Sequence, residues 1–201
     1  MDQKPQMVLF AGPNGSGKTR LYQLKFADNS LKNIEYVNPD LLAQKYGSEI
    51  RGGREAIKRR NELIASKTSF VSESTLSGNS ALKLIDKANK AGFKTTLIYI
   101  GTSSPELNIK RVQLRVSQGG HDVPKKAIVR RYHDSMKNLV QAVQKSNVSH
   151  VFATAQGTNK RLFSAKNGVV RPREGVKLPS WVPERLQKKV MSRTVSKGRT
   201  R

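Results

Sequence analysis

The 201-residue sequence has no cysteine, a single tryptophan and only three histidines, and its Asp and Glu number 14 against 38 Lys and Arg. Without thiols there are no disulfides and no thiolate metal sites, and His121, His133 and His150 are scattered at spacings that fit no zinc motif. No apolar run is long enough to cross a bilayer, and the opening MDQKPQ lacks the apolar stretch of a secretory signal. The expectation is a cytoplasmic protein with no membrane attachment. The scarcity of acid leaves a formal net charge of +24, which favours polyanionic partners. That charge is unevenly spread: residues 160–201 carry +11 and the first 159 carry +13.

What is present is organised around Met7 to Thr19, MVLFAGPNGSGKT. Met7 to Phe10 have the unbroken apolar character of a strand buried on both faces. Gly12, Pro13, Asn14, Gly15, Ser16, Gly17, Lys18 and Thr19 then match the phosphate-binding pattern G-x-x-x-x-G-K-[ST] position for position. The glycines let successive N–H groups turn inward into a concave anion nest, and a helix from Lys18 to Phe26 aims its positive end at the same point. Lys18 is expected to reach the β- and γ-phosphates of a nucleotide, and the Thr19 hydroxyl to ligate magnesium. ATP and Mg2+ are the expected cofactors.

Downstream, strands and helices alternate. Ile34 to Val37 reads as a short strand ending in Asn38-Pro39-Asp40, which places Asp40 at the carboxyl edge of a parallel sheet, twenty-two residues after Lys18. A carboxylate there can orient and deprotonate an acceptor hydroxyl, or cap the helix that follows. Ser69 to Glu73 is a second strand ending in an acid; Glu73, Thr75 and Arg111 are expected to contact the acceptor. Between these strands, Gly53 to Thr68 reads as a helix with Ala56, Ile57, Leu63 and Ile64 inward and Arg54, Lys58, Arg59 and Arg60 largely outward. That basic face is a secondary candidate for contact with nucleic acid or an acidic substrate.

Lys94 to Ile100 supplies another strand. Helices from Pro105 to Ser117 and from Lys125 to about Lys145 flank the break Gly119-Gly120-His121-Asp122-Val123-Pro124. Arg115 before the break, with Arg130 and Arg131 after it, suits a mobile lid whose arginines meet the transferring phosphoryl group on closure. His121 reads as a hydrogen-bond partner in the loop. Val148 to Ala153 is a further strand, Leu162-Phe163 with Gly168 to Val170 suggests a hairpin, and Trp181 to Leu186 the start of a terminal helix. The fold class expected is an α/β P-loop NTPase three-layer sandwich, a mainly parallel sheet with helices on both faces and a helical lid. A kinase domain over 1–159, a basic extension of the same domain over 160–191 and an unstructured basic tail over 192–201 complete the division.

AGPNGSGKT (Ala11 to Thr19), VNPD (Val37 to Asp40), SESTLSG (Ser72 to Gly78), and KRVQLRVSQGGHDVP with RRY (Lys110 to Pro124, Arg130 to Tyr132) occur in the order seen in the zeta toxin family of P-loop kinases, which the sequence resembles. The resemblance implies phosphorylation of a hydroxyl by ATP, in the longer toxins the 3′-hydroxyl of UDP-N-acetylglucosamine. It further implies Lys18 and Thr19 on phosphate and metal, Asp40 as the activating acid, Glu73 at the substrate, Arg115 with Arg130 or Arg131 as lid arginines, and a small antitoxin, here acidic, as partner. Leu41-Leu42 after Asp40 and Ser74 after Glu73 depart from the Phe-Arg and Gly of the longer toxins. The residues alone leave two other readings open, a kinase of RNA ends favoured by the positive charge, and a nucleotide-switched ATPase or binding module.

Overall fold

Along the first strand, β1 (Gln6–Ala11), successive side chains go to opposite faces of the sheet: Met7, Leu9 and Ala11 join one core cluster, Val8 and Phe10 another. β4 (Lys94–Gly101) repeats the division, with Leu97 and Tyr99 on the first side and Ile98 and Ile100 on the second. Strands apolar at every position, as these are, belong in the middle of a sheet covered on both faces. The computed structural model, which describes residues 4–26, 31, 33–155 and 158–198, places them there.

The sheet has seven strands in the order β2-β3-β1-β4-β5-β6-β7. β2 (Glu35–Val37), β3 (Phe70–Ser74), β1, β4 and β5 (Val148–Ala155) run parallel, and the hairpin of β6 (Thr158–Lys166) and β7 (Val169–Pro172) adds two antiparallel strands. β6 runs across residue 159, so the 160–191 extension begins inside a strand of the main sheet.

The two helical layers are unequal. α1 (Lys18–Lys25) brings Leu21 and Tyr22 to the smaller core. α3 (Glu49–Ala65), α4 (Asn79–Lys90), α6 (Lys125–Lys145) and α7 (Glu184–Gly198) all contribute to the larger one. α2 (Pro39–Tyr46) leads from β2 towards α3, and α5 (Pro105–Ser117) packs on α6 through a separate apolar cluster of Val112, Val123 and Ile128. The helical pair and its loop thus have a core of their own, as a lid does.

Three expectations need correction. In α3 the buried face is Ala56, Arg60, Leu63 and Ile64, spaced as one helical stripe, while Ile57 is about half exposed at 52%. Arg60 therefore points inward and leaves the basic outer face to Arg54, Lys58 and Arg59. The helix α7 continues to Gly198, into the stretch expected to be unstructured, because no Pro or Gly interrupts 184–197 and Leu186 and Val190 anchor it to the main core. Residues 199–201 lie outside the described residues.

Candidate active site

The loop between β1 and α1 is bound tightly into the sheet. Gly12 takes φ +142°, and a Cβ there would lie 2.2 Å from the Ile100 carbonyl oxygen of β4. Gly15, at φ +73°, would bring a Cβ within 2.7 Å of the Asn108 carbonyl oxygen of α5. Glycine is required at both positions by close approach as well as by backbone angle. α1 begins at Gly17 with no side-chain cap and no acid in its first turn, so its leading N–H groups are available to an anion.

Lys18 is buried beneath this loop, where its Nζ donates to the carbonyls of Gly12 (2.9 Å) and Pro13 (3.1 Å). Burial pushes its pKa down; the charges of Glu73 and Asp40 oppose that shift, and those of Arg115 and Arg131 add to it.

The two acids come from the ends of neighbouring strands. Asp40 lies in the first turn of α2, but the cap of that helix is Asn38, whose Oδ1 accepts from the Asp40 N–H at 2.8 Å. The Asp40 carboxylate is thereby spared the capping role that its position after a proline suggests. Glu73, on β3, is 4% exposed and accepts a hydrogen bond from the Tyr36 hydroxyl. Tyr36 in turn accepts from Asn38 Nδ2 at 3.0 Å, meets the Thr19 side chain and stacks on Tyr22 with ring centroids 4.1 Å apart. Burial, with the Glu73 charge beside it, raises the Tyr36 pKa, so the phenol stays protonated and donates.

Two clefts open at the carboxyl edge of the sheet. One, of about 690 Å³, is lined by the loop residues Asn14, Gly15, Gly17, Lys18 and Thr19 together with Arg111 and Arg115. The other, of about 290 Å³, is lined by Asn38, Thr75, Ser77, Arg131 and the α3 residues Ile57 and Arg60. Lys18, Asp40 and Glu73 line both. A lysine and two carboxylates at the junction of a phosphate-binding cleft and a second cleft is the arrangement that transfer between two bound molecules requires.

The lid arginines are placed separately. Arg131 lines the second cleft and donates to Asn14 Oδ1 at 3.3 Å, whereas Arg130, one position on, is exposed and lines neither cleft. Arg115 lines the loop cleft and donates to the His121 carbonyl at 2.6 Å, which ties α5 to the glycine-rich break. Arg111, expected at the acceptor, lies in the loop cleft and donates to the Gly15 carbonyl at 3.4 Å. One helical turn separates it from Arg115, so both face the same side of α5. Thr75 lines the second cleft with its hydroxyl 2.8 Å from that of Ser77. His121 bonds Glu49 through Nε2 at 2.9 Å, the partner role expected of it.

The base of the lid is fixed by hydrogen bonds from α6: Tyr132 to the Thr102 carbonyl at 2.9 Å, and Asn138 to the Leu76 carbonyl at 3.0 Å. Leu76 has φ +57°, a left-handed conformation that a branched side chain resists, and it sits between Thr75 and Ser77 of the second cleft.

Magnesium fits the donors present. Among the described residues no cluster of three or more His, Asp or Glu side chains is poised to hold a metal. Mg2+ needs only one or two protein oxygens besides phosphate and water, and the Thr19 hydroxyl with Asp40 and Glu73 line the same cleft.

The sequence model of the family described as Zeta toxin matches residues 53–167, more than half of the chain. The match begins after the phosphate-binding loop and Asp40, whose assignment rests on the geometry above. A Haemophilus influenzae protein described as uncharacterized is 33% identical over 133 residues, covering 62% of this chain and 91% of its own. Among solved structures, the AvrRxo1-ORF1:AvrRxo1-ORF2 complex with ATP superposes with a TM-score of 0.69 at 19% identity, over 93% of this chain and 63% of that one. This chain thus spans less than two thirds of the length of that relative. The PezAT toxin-antitoxin system of Streptococcus pneumoniae gives a TM-score of 0.57 at 16% identity, over 94% and 80% of the two chains. Both likenesses establish the fold.

Proposed function

Because this chain belongs to the zeta toxin family, we propose that it is a kinase that transfers the γ-phosphate of ATP to a hydroxyl of a small molecule, such as a UDP-N-acetyl sugar, bound in the second cleft. The observation that carries this reading is that Lys18, Asp40 and Glu73 are common to both clefts.

In this reading the loop N–H groups and Lys18 hold the phosphates, and Asp40 orients the acceptor hydroxyl and accepts its proton. Glu73, held from behind by Tyr36, positions the acceptor, and Arg131 and Arg115 approach the transferring group from the two walls. Magnesium, held by Thr19 with help from the neighbouring carboxylates, supplies neutralisation of phosphate charge when bound. An acidic antitoxin protein is the partner proposed for the basic surface, and the charge of +24 makes RNA ends the second acceptor class to be tried.

The test is transfer of label from γ-labelled ATP, with magnesium, to UDP-sugars, nucleosides and short RNAs. Asp40→Asn is expected to lower the transfer rate on the order of 10²-fold or more, the usual contribution of a general base. Lys18→Ala is expected to abolish transfer. Label moving to RNA alone would favour the second acceptor class. Label released only as free phosphate, at a rate indifferent to Asp40→Asn, would overturn the kinase reading in favour of an ATPase.

A further inference from the structure

We propose that α3 and α4 form an anion subsite around Arg60 that receives a phosphate group carried by the acceptor itself, so that the molecule phosphorylated is already a phosphate ester. The inference rests on the kinase reading and assigns one chemical feature of its acceptor.

Arg60 is 8% exposed, has no hydrogen bond or ion pair among the described residues, and its Nε is sealed from solvent without a partner. Its neighbour Arg59, on the open face, has two carboxylates, Glu35 at 2.7 Å and Glu62 at 2.9 Å. The carboxylates that share a cleft with Arg60 are engaged elsewhere in two of three cases, Glu73 with Tyr36 and Glu49 with His121. Burial alone lowers the Arg60 pKa, to about 10, with no neighbouring charge contributing. A guanidinium taken out of water without compensation is costly, and such groups are found paired. Here the partner is missing from the protein, and Arg60 lines the acceptor cleft.

A second, independent feature faces the same point. α4, twelve residues long, starts at Gly78 with no side-chain cap and no acid in its first turn. Ser80, in that turn, lines the acceptor cleft together with Arg60. Unpaired N–H groups and the positive end of the helix therefore converge with the guanidinium. From the acceptor cleft a side groove of about 250 Å³ runs between the two helices, sharing Ile57, Arg60 and Ser80 with it and adding Lys83 and Lys87 but no carboxylate. Lys87 is occupied by Asn61 Oδ1 at 2.7 Å, which leaves Lys83 as the second cation. Two cations and a helix start suit the double charge of a phosphate better than the single charge of a carboxylate. The half-exposed Ile57 offers an apolar wall to the body of the molecule.

The experiment uses the full chain with its phosphate loop filled by saturating Mg-AMP-PNP, and measures binding of inorganic phosphate, with acetate in parallel, by calorimetry. Phosphate is expected to bind wild type, to bind Arg60→Met at least tenfold more weakly and Lys83→Ala a few-fold more weakly, and acetate is expected not to bind. Arg60→Met should melt no lower than wild type, since it removes an unpaired buried charge while keeping the volume. If it does not fold, Arg60→Lys, which keeps the charge but not the fork, is expected to bind phosphate several-fold more weakly. Equal phosphate binding by wild type and the Arg60 variants would overturn the subsite, and acetate binding as tightly as phosphate would overturn the assignment to phosphate. Failure of AMP-PNP to bind wild type would instead overturn the kinase reading and the subsite with it.

Discussion

Tyr36 shows how a single side chain sets the character of the site. Its hydroxyl has Glu73, Asn38 and Thr19 around it and its ring lies flat on Tyr22, so the acid from β3 is fixed from behind by a residue of β2. Tyr36→Phe keeps the stack and removes the donor. A buried carboxylate that loses a hydrogen bond costs about 1–3 kcal/mol, and urea denaturation should show a loss in that range. Transfer rate should fall with it, with a larger change in kcat than in KM, because Glu73 remains present but less well oriented.

Nothing in the sequence distinguishes Tyr36 from any aromatic on a short strand. The loop residues Gly12 to Thr19, by contrast, are legible because their geometry demands particular residue types at fixed spacing. Arg130 and Arg131 are equivalent in sequence and are separated only by the rotation of α6. Arg60 sits at the right phase for burial, four after Ala56 and three before Leu63, but its charge argues for the outside, and a composition-based reading follows the charge.

Among the elements, the long and strongly patterned ones are legible almost to the residue: the sequence places α6 at Lys125 to about Lys145 and α5 at Pro105 to Ser117, as observed. α3 begins at Glu49 rather than Gly53, because Ser48 caps it by accepting from the Arg51 N–H at 3.3 Å. Gly52 and Gly53, which look like a break, lie inside the helix.

The β5–β6 pair carries a testable pH dependence. His150 of β5 lies 2.9 Å from the Ser164 hydroxyl of β6, and burial together with the charge of Arg161 lowers its pKa below the ordinary 6.5. The unfolded chain therefore takes up a proton before the folded one as pH falls. This contribution to stability is complete above pH 6.5 and declines below it. Thermal melts should show wild type losing stability between pH 7.5 and 5.5, and His150→Gln, which keeps a polar group facing Ser164, losing less.

For the molecule as a whole, the charge asymmetry is plain in the sequence but its architecture is not. Residues 160–191 look like a basic appendage because apolar positions there are sparse, yet Leu162, Phe163, Val170, Leu186 and Val190 all enter the larger core. Trp181 closes the same side, so near Gly101 that a Cβ on that glycine would lie 2.3 Å from the indole. We therefore expect Leu186→Ala to destabilise the entire chain by about 2–5 kcal/mol in a single urea transition, the cost of emptying a core position. A loss below about 0.5 kcal/mol would mean that α7 contributes nothing to the common core.

The two borders of the sheet bear on how another polypeptide can meet this one. On one side is β2, three residues long, with Glu35 locked to Arg59; on the other is β7, four residues long, ending at Pro172 and packed against α7. Brief, charged or covered borders give an incoming strand no register to extend. A protein that captures this enzyme cannot do so by continuing its hydrogen-bond ladder, and its grip must come from side chains laid over the helices and the mouths of the clefts.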